Sequence, residues 1–456
     1  MTLFRRLTAR PIEVALLLLV IALFLLGFSM TAIAGQLNQQ AEPLLVFPDV
    51  LRVPAMVAAS LFVIHFLLLW RSGSQAQLLW PAVAVLVTIG MIMIFRLRGT
   101  AGVWQQFTRG WVPGVVLIAA LLVFPRLLEW MRRAAIPISI GGLLLLIATA
   151  FFGVADETGA RLALQIGPLP AVQTSEVIKL ALIIFLAWYI EQVGEEAEGR
   201  ARPVGWLRLP SFKYFIPGLV FVGVAALALV LMSDFGAILI IGSLFIAMLY
   251  AGFQPRVFGT IALIGLVLFT VLIIFLALFW SPPDVIRHRV VAFMDPWSEE
   301  PLIVNGQPSN ITVAEGPGYQ IQQAIYAVTA GGLTGTGLGF GTPYFVPLAH
   351  SDFIFAAIVE EFGGLVALAI FAFFAVLLLR LLRLGMMLPA GQVFERLLLV
   401  GIGVHLFMQL FVMAGGTLNL LPLTGITVPF LSQGGVALMV NLLEVGIGLT
   451  LAGRLK

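Results

Sequence analysis

Cysteine is absent from all 456 residues, which excludes disulfides, iron–sulfur clusters and thiolate metal sites. Histidine is scarce: His65, His288, His350 and His405 are scattered, and none forms an HxxxH pair or another metal-ligand spacing. Charged residues make up only 10% of the chain, and no basic domain or stripe is present that would carry a nucleic acid. An ordinary soluble domain is about a quarter charged. With 61% hydrophobic residues, this chain cannot clothe itself against water.

What is there instead is a series of long apolar runs. About twelve are expected as spans, near 13–35, 51–70, 78–95, 111–125, 136–153, 175–191, 213–232, 235–252, 258–280, 353–379, 395–415 and 428–452. Each approaches the roughly 20 residues that cross a bilayer as a helix. The first run lacks a small-x-small cleavage site and precedes many equivalent segments, so it reads as a span and not as a signal peptide. The expected fold is an all-α polytopic membrane protein with one long extracytoplasmic loop, 281–352.

An even number of crossings puts both termini on one side. Arg5, Arg6, Arg10, Arg71, Arg126, Arg132, Arg133, Arg200, Arg202, Arg208, Lys213, Arg256, Arg380, Arg383, Arg396, Arg454 and Lys456 all fall on that side, which the positive-inside rule assigns to the cytoplasm. Arg52, Arg96, Arg98, Arg109, Arg161, Arg287 and Arg289 fall opposite. They run against the bias and are candidates for holding an anion. Within the long loop, Gly318–Ala330 has helical spacing of Ile321, Ile325 and Val328, which predicts a short amphipathic helix.

Four constellations carry chemistry-bearing residues. His350-Ser351-Asp352-Phe353 stands where the outer loop meets a helix, followed by Glu360-Glu361-Phe362-Gly363-Gly364. Asp352 there is either a helix cap or an ionised carboxylate available to substrate. Of Glu360 and Glu361, two turns on, at least one must face the interior, where a carboxylate is costly. Ser175-Glu176-Val177-Ile178-Lys179 sets Glu176 and Lys179 on one helix face; they either pair with each other or hold a diphosphate. Arg96–Arg109 holds Trp104, Gln105 and Gln106, an interfacial cluster that either anchors or binds. Gly415–Gly435 interleaves glycine and proline at membrane depth, which implies a broken or re-entrant segment lining a cavity or buried in protein. Ser233-Asp234 marks either another break or a cap at a tight outer turn.

At these residues the chain resembles the SEDS family (shape, elongation, division and sporulation) of RodA- and FtsW-type cell-wall polymerases. The blocks QTSEVIK at 173–179, SDFGA at 233–237, the region 287–364 with HSDFIFA and EEFGG, and LPLTGITVPFLSQGG at 421–435 follow the family order. The likeness covers roughly 140–452. Three features depart from it. Residues 1–75 read as two added helices before a ten-helix core, 76–456. Gly341–Pro347 lacks the lysine that often precedes the catalytic block. Gln433 and Val436 stand where the family has Tyr and Ser.

The resemblance implies a peptidoglycan glycosyltransferase that polymerises lipid II for cell elongation or division. Asp352 would take the proton of the acceptor N-acetylglucosamine 4-hydroxyl, which attacks C1 of the donor N-acetylmuramic acid with inversion and releases undecaprenyl diphosphate. Lys179 and an outer arginine, Arg96 or Arg109, would hold the diphosphate, with Glu176, Glu360, Ser432 and Gln433 as further substrate-binding candidates. A divalent cation, magnesium or manganese, could assist the diphosphate, although the sequence displays no ligand cluster for one. The implied partner is a class B penicillin-binding protein, a transpeptidase. Two other readings fit parts of the pattern: a lipid II flippase, since broken helices suit transporters, and a non-catalytic scaffold of the synthesis complex.

Overall fold

The structure, a computed structural model, describes residues 10–37, 47–71, 77–154, 163–165, 172–204, 207–209, 211–253, 284–304 and 307–455. The expected span at 258–280 lies outside the described residues. Nine helices are long and apolar enough to cross a membrane among those described, and Ile216–Leu231 is a shorter apolar one. The helices are α1 (Pro11–Leu37), α2 (Phe47–Arg71), α3 (Leu79–Gln106), α4 (Val112–Val123), α5 (Arg126–Arg133), α6 (Ala135–Phe152), α7 (Thr174–Gly199), α8 (Ile216–Leu231) and α9 (Phe235–Gly252). After them come α10 (Asp284–Met294), α11 (Pro317–Gly331), α12 (Ile354–Phe362), α13 (Gly364–Met387), α14 (Val393–Thr417) and α15 (Gly435–Ala452). Three two-stranded antiparallel ribbons complete the described residues, the largest pairing Pro301–Val304 with Gln307–Thr312.

One stretch, Leu79–Val123, is helical for 45 residues, twice what a bilayer needs. It folds back on itself at Gly99, whose φ of 64° and ψ of −163° break the helix. A Cβ placed on Gly102 would lie 3.4 Å from the Ile94 side chain. Eight residues along a straight helix are about 12 Å apart, so the chain turns sharply here. Arg96–Arg109, expected as an outer interfacial stretch, is therefore helical on both sides of this turn. A five-residue π-helix, Phe107–Trp111, links α3 to α4, and Trp111 stacks on Trp80 with ring centroids 5.9 Å apart.

Two expected spans are broken. The run at 353–379 divides at Gly363 (φ 85°) into α12 and α13. The last span, expected from 428, becomes helical only at Gly435, because 418–434 is irregular, with 426–432 buried. The predicted loop helix is present as α11. Its Ile321 joins Ala292 and Val313 in a small core outside the bundle, while Ala324 and Ala327 pack into the main one.

Charges inside the bundle are paired. In the first two helices, the Glu13 carboxylate meets Arg10 at 3.0 Å and His65 at 2.6 Å, all three buried. Between α14 and α15, His405 Nδ1 lies 2.9 Å from both Glu444 oxygens. Such pairing is the condition on which charge is admitted to a low-dielectric interior. Two of the arginines expected on one face are held by carboxylates: Arg132 bonds Glu191 at 2.9 Å, and Arg454 reaches Glu395 at 3.5 Å.

Close helix approach depends on glycine. A Cβ on Gly331, at the end of α11, would collide with the Val359 carbonyl oxygen of α12, a backbone atom that cannot swing aside. Gly331→Ala is expected to cost about 1–3 kcal/mol by overpacking. Gly141→Ala, where the added methyl meets open space, should shift stability by about 0.5 kcal/mol or less. Thermal unfolding of the detergent-solubilised variants compares the two.

Candidate active site

The site is assembled around the irregular segment 418–434. Backbone buried at membrane depth must find hydrogen-bond partners within the protein, and here side-chain amides and a hydroxyl provide them. Gln106 uses both ends of its amide: Nε2 donates to the Ser432 carbonyl at 3.1 Å, and Oε1 accepts from Gly434 N–H at 3.0 Å. Gln409 of α14 donates to the Thr427 carbonyl at 2.9 Å. Ser432 Oγ accepts from Val428 N–H at 2.8 Å and donates to the Ser351 carbonyl at 2.7 Å. Gln433 N–H donates to the His350 carbonyl at 2.9 Å.

These last two bonds sew the loop that carries Asp352 to the irregular segment. Asp352 is half-buried, and a Cβ on Gly425 (φ 64°) would lie 3.6 Å from its Oδ2. The carboxylate thus faces the one residue type that adopts this backbone geometry freely and adds no side chain in front of it. The cap position of α12 falls on Phe353, with no side-chain capping bond, so Asp352 does not occupy it. His350, two residues earlier, is half-buried too. Burial, and then the positive charge of Arg98, push its imidazole below the usual range.

Beneath the segment lies a buried polar cluster. Lys179 Nζ meets Glu176 Oε1 at 2.8 Å, each residue about 1% exposed. Gln409 Nε2 lies 3.3 Å from the same oxygen. Asp234 caps α9 by accepting from Ala237 N–H at 3.0 Å. It also hydrogen-bonds Ser175 and feels the charges of Lys179 and Glu176. Gly236, two residues on, abuts Ile426 and Thr424 on either side of Gly425. The motifs at 173–179, 233–237 and 421–435 are therefore one structural unit, with Asp352 at its edge.

Several candidates serve as struts in this arrangement. Arg96 Nε donates to Glu361 at 2.9 Å, and its Nη2 to the Gly341 carbonyl at 3.0 Å. Glu360 Oε1 accepts from the Thr342 backbone N–H at 2.6 Å and lies 3.2 Å from its hydroxyl. Both carboxylates are buried and clamp the glycine-rich turn 331–342 onto α12. The Gln433 side chain lies 3.3 Å from Gln105 Oε1. Arg109 is exposed in the π-helix, with its backbone against Gly435. Arg98 is exposed beside His350. Sequence reasoning did not single out Gln409, although an amide inside an otherwise apolar span is a recognisable signal. Among the described residues, no group of three or more His, Asp or Glu side chains converges as a metal site.

Fold and site together define a multi-pass membrane protein whose polar machinery is gathered at one mouth of a helical bundle. The chain belongs to the family described as "Cell cycle protein", that of FtsW, RodA and SpoVE, which it matches over residues 56–455. It is 33% identical over 344 residues to a probable peptidoglycan glycosyltransferase FtsW of Geobacter metallireducens, covering 74% of this chain and 82% of that one. It is 29% identical over 386 residues to the peptidoglycan glycosyltransferase RodA of Mycobacterium tuberculosis, covering 81% and 76%. The fold is shared with two solved structures. One is a chain of a peptidoglycan synthase complex that coordinates polymerization and crosslinking (TM-score 0.65, 24% identity, 82% of this chain and 96% of that one). The other is the rod shape determining protein RodA of Thermus thermophilus (TM-score 0.53, 22% identity, 82% and 95%).

Two outcomes test the electrostatics. Removing one partner of a buried ion pair strands the other charge, at a cost of about 3–5 kcal/mol. Lys179→Met alone should therefore destabilise more than Lys179→Met combined with Glu176→Leu, as read by chemical unfolding in a double-mutant cycle. Because folding lowers the His350 pKa, the unfolded chain takes up its proton first, near its ordinary value of about 6.5. The stability this confers is present above that pH and is lost as pH falls through the folded value. The unfolding midpoint should drop below about pH 6.5, and less steeply in His350→Gln; equal slopes would remove His350 as the source.

Proposed function

We propose that this protein is a peptidoglycan glycosyltransferase that polymerises lipid II on the outer face of the cytoplasmic membrane, with Asp352 as its general base. The observation that carries the reading is the seat of Asp352. It is a half-buried carboxylate whose loop is held through backbone bonds at 350 and 351, faced by a glycine, and adjacent to the cluster that joins the family's three other blocks. A general base must stand within hydrogen-bond reach of its proton and be fixed there. The open side of Gly425 leaves room for an acceptor sugar hydroxyl against Oδ2.

In this reading Asp352 removes the 4-hydroxyl proton of the acceptor N-acetylglucosamine. The oxygen bonds to C1 of the donor N-acetylmuramic acid as the bond from C1 to the diphosphate oxygen breaks, inverting that carbon. The electron pair leaves with undecaprenyl diphosphate. Fixed positive charge stabilises this leaving group most when it is positioned beforehand. Exposed Arg98 and Arg109 supply that charge at the mouth, and Lys179 adds to it from below. Arg96, Glu360, Ser432 and Gln433 keep the walls of the site in register, and Glu176 holds Lys179.

The arginine-rich face is assigned to the cytoplasm by the positive-inside rule, which puts both termini there and Asp352 outside. Residues 1–55, which precede the family match, are taken as an addition to the family's core. The partner is a class B penicillin-binding protein, in keeping with the synthase complex whose fold this chain shares.

Purified protein, alone and with its partner transpeptidase, should convert lipid II to glycan strands resolved on gels. Asp352→Asn should slow this by about 10²–10⁴-fold, the usual contribution of a general base. Polymerisation undiminished in Asp352→Asn would defeat the assignment. Translocation of labelled lipid II across proteoliposomes without any glycan would favour the flippase instead.

A further inference from the structure

At the opposite end of the bundle from Asp352, a cavity of about 280 Å³ opens where α2, α4 and α15 end and α5 begins. Three guanidinium groups line it, those of Arg71, Arg126 and Arg454, against one carboxylate, Glu129. Pro125 and Thr450 close its sides. Arg71 is fixed at the rim: its Nε donates to the Leu122 carbonyl at 2.7 Å and its Nη2 to that of Val123 at 3.0 Å, at the end of α4. Arg454 is turned partly toward Glu395, at 3.5 Å. Arg126 is exposed. Cations surplus to their local partners, facing a space that would hold about nine waters by volume, make a receptacle for an anion.

The surroundings say which kind. Trp70, Phe124 and Trp130 are 58%, 63% and 59% exposed at the same level. Arg71 also lies over the Trp70 ring, 5.4 Å from its centroid. Aromatic rings exposed where spans end mark the headgroup zone of a bilayer. The short helix α5 buries Leu128 and Met131 while presenting Arg126, Trp130 and Arg133 outward, the pattern of a helix lying along an interface. A basic pocket between transmembrane helices at this depth meets lipid headgroups before it meets soluble solutes.

We propose that this cavity is a binding site for the phosphodiester headgroup of an anionic membrane phospholipid, distinct from the site that takes the lipid-linked sugar. The lipid phosphate sits between Arg126 and Arg454, with Arg71 beneath, and its acyl chains run down beside Phe124. The proposal does not depend on the glycosyltransferase reading.

The full chain, released from detergent micelles into a mass spectrometer after titration with phosphatidylglycerol or phosphatidylcholine, tests it. The expected result is retention of phosphatidylglycerol over phosphatidylcholine. Retention should fall about fivefold in Arg126→Gln and further in Arg126→Gln/Arg454→Gln, roughly the worth of a basic residue at an anionic surface. Arg133→Gln, on the same helix but outside the cavity lining, should retain the lipid as wild type does. Equal retention of the two lipids, or equal loss in Arg133→Gln and Arg126→Gln, would reduce the effect to diffuse surface charge and overturn the site. Release of bound phosphatidylglycerol by millimolar inorganic phosphate would assign the cavity to a free anion instead. Unfolding midpoints establish that each variant is folded, and should the double variant not fold, Arg126→Gln alone decides.

Discussion

Inside a bilayer a peptide group that abandons the helix must find another partner, and that requirement governs this molecule more than any single ion pair. The stretch 418–434 is irregular, and many of its residues are buried in the bundle. Its backbone is held by Gln106, Gln409 and the hydroxyl of Ser432, each reaching in from a different part of the chain or across the segment itself. An unpaired buried peptide group costs about 1–3 kcal/mol, so these few side chains decide whether the segment keeps its course. Where it runs, the Asp352 loop follows, because two of its carbonyls are bonded to 432 and 433.

The same economy appears in the glycine-rich turn before the Asp352 loop. Glu360 and Glu361 are intramembrane carboxylates of the kind that usually mark function. Here their bonds run to Thr342, to Arg96 and to the Gly339 N–H at 3.1 Å. They fix the wall of the site on the loop side as Gln106 and Gln409 fix it on the helix side. The buried Glu176–Lys179 pair, with Gln409 bridging to Thr427, is the floor. The carboxylate proposed to take the proton is thus surrounded by parts that have little freedom to shift, as catalysis by positioning demands.

Much of this was legible beforehand. Apolar runs near bilayer length mark most of the described helices, and the spacing of Ile321, Ile325 and Val328 marks α11. The break after Gly415 was visible because glycine and proline cluster there. The late start of α15 was not, because VPFL at 428–431 is as apolar as any helix, and hydropathy cannot tell a buried irregular strand of chain from a helical one. Nor could Gly363 be distinguished from a tolerated helix glycine until its φ of 85° was known. The partnership of Arg96 with Glu361 spans 265 residues of sequence, and no local pattern encodes a contact of that range. The paired reading of Glu176 with Lys179 and the capping reading of Asp234 were both open from spacing alone, and geometry supplied them.

The Asp352 loop is tied to position 433 by a main-chain N–H, which any residue except proline provides. Side-chain identity and loop anchorage are uncoupled there. The group displayed at 433 can therefore be exchanged without dislodging the carboxylate beside it. Drift at this wall of the pocket is cheap, whereas at Ser432, whose hydroxyl makes both bonds, it is not.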